Sequence, residues 1–77
     1  MRYADNNFNM YKANTKSALA HELYRSSFAR VHATDVYDWC SKCSDRIYEQ
    51  YDYRLEFTSL DTFIDELIKH NLILEIQ

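Results

Sequence analysis

Across 77 residues the chain contains no glycine and no proline. Glycine normally occupies the left-handed backbone positions that tight turns and helix ends require, because it has no Cβ to clash there. Proline normally stops helices and rigidifies turns. A chain lacking both favours helices closed by side-chain caps and joined by plain connections, with few turns at positive φ. Where a left-handed stop is still needed, Asn71 is the best candidate, because asparagine tolerates that region better than most residues.

Hydrophobic spacing divides the sequence accordingly. Residues 15–30 read as a first helix capped by Asn14 or Thr15, with Ala20, Tyr24, Ser27/Phe28 and Val31 on its apolar side, flanked by Leu19 and Leu23. Thr34 or Asp35 caps a second helix running to about Tyr51, whose buried stripe is Val36, Trp39/Cys40, Cys43, Ile47 and Tyr51. Its opposite stripe is Asp38, Lys42, Asp45, Glu49 and Asp52. The period then switches to two at Tyr53, Leu55 and Phe57, which predicts a half-buried strand. Thr58-Ser59-Leu60-Asp61 resembles a capping box opening a third helix with Leu60, Phe63/Ile64 and Leu67/Ile68 inward. Leu72–Ile76 follows as a strand. Strand, helix and strand make a βαβ-like unit if the strands run parallel. A further strand from residues 7–13, where Phe8 and Met10 alternate with Asn7 and Asn9, would complete a sheet. The alternative is that Leu72–Ile76 pairs with its copy in a homodimer. The expected fold is therefore α+β: three helices on a two- or three-stranded sheet, one domain over 1–77. Within it, 1–14 is an edge strand or a fraying start, 15–51 a two-helix section and 53–77 a strand-helix-strand section.

Charge is unevenly placed. Residues 1–33 carry five basic groups against two acidic ones, net +3, whereas residues 34–77 carry four against ten, net −6. Nucleic acid is bound by concentrated basic faces that release counterions, so only the first half suits that partner. The acidic second half suits a basic protein surface. No run of residues is apolar and long enough to span a bilayer, no secretory apolar core precedes the cysteines, and a reducing cytoplasm is the expected location.

Trp39-Cys40-Ser41-Lys42-Cys43 is the one string with catalytic overtones, and it resembles the thioredoxin-family redox motif. That resemblance implies a nucleophilic first cysteine at a helix N-terminus and a cis-proline facing the dithiol. Here the cap lies at Thr34 or Asp35, which puts Cys40 in the second turn, and the chain has no proline. Zinc would need Cys40 and Cys43 joined by His21, His32 or His70, without the usual second ligand pair. The two thiols are therefore expected to be core atoms, with no cofactor, metal or catalytic residue assigned.

A helix-turn-helix reading of the first two helices, giving a small dimeric DNA-binding regulator, meets Asp35 and Asp38 where base-reading helices place Arg, Lys, Gln or Asn. Recognition of a protein remains. Asp61, Asp65 and Glu66 on the third helix, with Asp38, Asp45 and Glu49 on the second, are expected to form an acidic surface anchored by Tyr37 and Tyr48. Such a surface fits a basic groove, including one in a nucleic-acid-binding protein or complex. In small size and acidic-aromatic character the chain resembles phage- or mobile-element-encoded anti-defence proteins such as anti-CRISPRs. That likeness implies an inhibitor or adaptor that works by binding.

Overall fold

A computed structural model describes residues 2–5, 8–27 and 31–76. Its elements in chain order are β1 (Arg2–Asp5), β2 (Met10–Lys12), α1 (Lys16–Ser26), α2 (Val36–Tyr51), α3 (Leu60–Lys69) and β3 (Ile73–Ile76). Three helices pack on a three-stranded antiparallel sheet of order β2-β1-β3. The α+β expectation holds, but the parallel βαβ unit does not. The strand expected within residues 7–13 is present as β2 at the sheet edge, and the central strand is formed by residues 2–5, which the alternation did not single out.

Each helix is closed by side-chain chemistry. Thr15 caps α1 by accepting from the Ala18 amide, and Asp35 caps α2 by accepting from Asp38. Ser59 and Thr62 form a reciprocal box at the start of α3, so Thr62 takes the role that the spacing suggested for Asp61. At the far end of α3, Asn71 adopts φ 60°. The amides of Asn71 and Leu72 then donate to the carbonyls of Ile68 and Leu67 at 3.0 and 2.8 Å. This is a Schellman closure built on asparagine in place of glycine.

Two expectations fail for identifiable reasons. The first helix does not reach residue 30, because Ser27 leaves the helical region, and Val31 lies 74% exposed in a short turn; Phe28 is outside the described residues. Residues 53–57 do alternate in burial, with Leu55 inward, yet they join no ladder. Side chains hold this segment against α3 instead. The Glu56 amide donates to Glu66 at 3.0 Å, and the Tyr53 ring stacks on His70 at 4.0 Å. A period of two reports a half-buried extended chain, not its hydrogen-bond partner.

The core lies between the helices and one face of the sheet. Tyr3 and Ile73 enter it from the sheet, Leu19 and Ala20 from α1, Val36, Trp39 and Cys40 from α2, and Phe63, Ile64 and Leu67 from α3. The strand register puts Arg2, Ala4, Met10, Lys12, Leu74 and Ile76 together on the opposite, outer face. The hairpin between β1 and β2 is organised by Asp5. Its carboxylate accepts from the Asn9 backbone at 2.9 Å, from the Asn9 side chain at 3.1 Å and from the Tyr11 hydroxyl at 3.1 Å. Phe8 closes the turn at φ 65° with its ring 87% exposed. A Cβ in that region costs about 1–2 kcal/mol. Phe8→Gly should therefore raise unfolding stability by about 1 kcal/mol in urea denaturation, although it removes an aromatic side chain.

Candidate functional site

The dithiol is part of the core. Cys40 is fully buried, Cys43 is half-buried, and both are free thiols. Burial pushes the Cys40 thiol up to about 12, with the neighbouring Cys43 adding to the shift. Burial raises Cys43 as well, partly offset by Arg46, whose guanidinium lies 3.8 Å from its sulfur. Nucleophilic cysteines are tuned the other way, toward thiolate. The histidines do not converge on the pair. His21 lines a cleft beside α1, the exposed His32 gives its carbonyl to Lys42, and His70 stacks on Tyr53. Among the described residues, no three histidine, cysteine or carboxylate side chains gather to hold a metal. In the native protein Cys40 should resist alkylation by iodoacetamide at mildly alkaline pH and react only on unfolding, as mass spectrometry of quenched time points would show. Reaction at the rate of a free peptide thiol would contradict this packing.

The six carboxylates singled out from sequence separate into two groups. Asp38, Asp65 and Glu66 are engaged within the molecule. Asp38 accepts from the Thr34 amide at 3.0 Å and pairs with Lys42 at 3.0 Å, buckling the approach to α2. Asp65 pairs with Lys16 and ties α3 to α1. Glu66 takes the Glu56 amide with one oxygen and faces Lys69 at 3.8 Å with the other. The Thr34 amide first, and then Lys42, hold the Asp38 carboxyl below its ordinary value. A depressed carboxyl stabilises the fold above the unfolded-state value and loses that contribution as pH falls through the folded one. The stability difference between wild type and Asp38→Asn should thus be largest near neutrality and shrink below about pH 4, measured by denaturation across pH.

Asp45, Glu49 and Asp61 form no ion pair among the described residues, and all three are exposed. Tyr37, Ser41, Asp45 and Tyr48 are spaced by four, four and three, which puts them on one stripe of α2 about 16 Å long. Tyr37 is 61% exposed and shares a shallow depression with Ser17, Ser59, Leu60 and Asp61, so the start of α3 adjoins this stripe. Asp45 lies beside His32, Lys42 and Arg46, which weakens its field. The structure therefore unites Tyr37 with Asp61 at one end and Asp45 with Tyr48 and Glu49 further along. It does not place all six acids on one working surface.

Sequence reasoning missed the end of this stripe. Tyr51, expected inside, is 51% exposed. Its ring stacks on Tyr53 at 5.8 Å, and Tyr53 in turn stacks on His70. Arg54 lies over the Tyr48 ring, 4.3 Å from its centroid. The aromatic richness of residues 48–53 was a visible signal, but it was spent on filling a predicted core stripe and strand. No protein-family model, curated protein or solved structure matches this chain. Among the described residues no helix is long and apolar enough to cross a membrane.

Proposed function

We propose that this chain is a non-catalytic protein-binding module of the inhibitor or adaptor kind, docking through the exposed side of α2 and the start of α3. The observation that carries the reading is the row of solvent-facing tyrosines, Tyr37, Tyr48 and Tyr51, on a regular helix. Tyrosine and arginine dominate binding hot spots because they offer large contact area at small entropic cost. Here Arg54 on Tyr48 and the stack from Tyr51 through Tyr53 to His70 restrict two of those rings, Tyr48 and Tyr51, before any partner arrives, which lowers the ordering cost of association. Asp45, Glu49 and Asp61 give the row a negative border. That suits a basic partner, including a protein surface shaped for nucleic acid, and speeds encounter more than it deepens affinity. Small size and acidic-aromatic character also fit an anti-defence inhibitor.

A DNA-reading role for α2 is less well supported, because its opening turn presents Asp35 and Asp38. The Cys40/Cys43 redox or zinc alternative is opposed by the raised thiol values and the scattered histidines.

The test compares immobilised wild type, a Tyr37→Ala/Tyr48→Ala double variant and a Leu74→Ala control on the outer sheet face, each challenged with native host extract. Wild type and control should retain the same partner. The double variant should lose it by at least roughly thirtyfold in affinity. Asp61→Lys should mainly slow association and flatten its salt dependence. Equal retention by the double variant would reject this face.

A further inference from the structure

We propose that the cleft between the β1–β2 hairpin and α1 is a binding site for a phosphate group, distinct from the α2 surface. It is a concavity of about 630 Å³ whose polar lining includes Arg2, Lys12, Asn14, His21, Glu22 and Arg25. Arg25 is engaged by Glu22 at 2.7 Å. Arg2 and Lys12 have no hydrogen-bond or ion-pair partner among the described residues. They are nevertheless direct cross-strand partners in the β1–β2 register. Side chains so opposed share one face of the sheet with their Cα atoms about 5 Å apart, and like charges in that relation are mutually destabilising. No acidic side chain shares that face, because Glu75 and Asp5 belong to the opposite one. The one acid lining the cleft, Glu22, faces Arg25, so among the described residues the Arg2–Lys12 pair has no counter-ion of its own, and in a chain of net charge −3 such a place suits an external anion.

The number of charges selects the ligand chemistry. Two uncompensated cations side by side call for an anion that carries two negative charges or brings two in sequence. A phosphomonoester dianion does the first, and consecutive phosphodiesters of a nucleic-acid strand do the second. A single carboxylate does neither. Tetrahedral phosphate oxygens also give separate acceptors to the Arg2 fork, the Lys12 ammonium and the Asn14 amide. Among the described residues, no phenylalanine, tyrosine or tryptophan lines the cleft itself, so it offers a base little to stack on. Recognition is of phosphate, not of sequence.

Titration of the isotope-labelled chain with pyrophosphate, with a mixed-sequence 12-nucleotide single strand and with the corresponding duplex, each at low salt, tests the site by NMR. Saturable shifts should centre on Lys12, Asn14 and His21, and Arg2→Ala should weaken binding roughly tenfold. Arg54→Ala, a cation outside the cleft, should leave it unchanged. Tighter binding of an oligonucleotide, with a salt slope reduced by about one in Lys12→Ala, identifies the nucleic-acid backbone as the source. Binding of pyrophosphate as tight as that of either oligonucleotide identifies a small phosphate compound. Lys12→Glu is the decisive variant, since it replaces the repulsion with an attractive cross-strand pair. It should raise the denaturation midpoint while abolishing binding, an outcome that a merely structural lysine would not give. The proposal is overturned if neither pyrophosphate at about 10 mM nor an oligonucleotide produces saturable shifts in the cleft. It is likewise overturned if an oligoglutamate peptide binds there more tightly than both phosphate probes. Either failure leaves the tyrosine surface of α2 untouched, and loss of the α2 partner leaves this cleft untouched.

Discussion

The packing of Trp39 holds the helical layer together. Its ring meets Tyr24 of α1 edge-on at 5.9 Å on one side and Phe63 of α3 at 5.9 Å on the other, and Phe63 meets Phe57 at 5.1 Å. Trp39 thus joins the three helices, and Phe63 extends the cluster to the irregular segment before α3. The edge-to-face arrangement adds about 0.5–1.5 kcal/mol per pair to simple area burial. It also leaves the indole nitrogen buried without a hydrogen-bond partner among the described residues. With Trp39 and Cys40 both inward, the other side of α2 is necessarily outward, and the tyrosine row is the geometrical counterpart of the indole.

The lack of glycine shapes the rest of the chain. Three described non-glycine residues take positive φ: Phe8, Asp52 and Asn71. Asn71 was legible, because asparagine after a helical stripe and before an apolar run is a recognised stop. Asp52 follows the same logic at the end of α2, where its amide donates to the Tyr48 carbonyl at 2.8 Å. Phe8 was not legible, since its left-handed turn depends on Asp5 gripping Asn9 rather than on any preference of phenylalanine.

The caps and core stripes could be read from sequence because they depend on residues three and four apart. Two of the strands, within 7–13 and at Leu72–Ile76, were legible too, but β1 and the strand pairing were not, because β1 pairs with β3 across some seventy residues and four-residue strands carry almost no period. The same limit governed the candidate surface. Which carboxylates remain available depends on which cations reach them, and Lys16 meets Asp65 from 49 positions away. Tyr37 and Tyr48 were identifiable from helix phase. Arg54 and His70 were not, because their aromatic contacts come from a segment whose route sequence did not reveal.

The register of β1 against β3 sets Arg2 directly opposite Ile76. Chain entering β1 and chain leaving β3 therefore emerge side by side at one end of the sheet, the end where Lys12 also lies. Anything fused to either side, from a purification handle to a neighbouring module, is delivered to the rim of the basic cleft. A polyhistidine or acidic extension there would change the local ionic environment more than the same extension placed elsewhere.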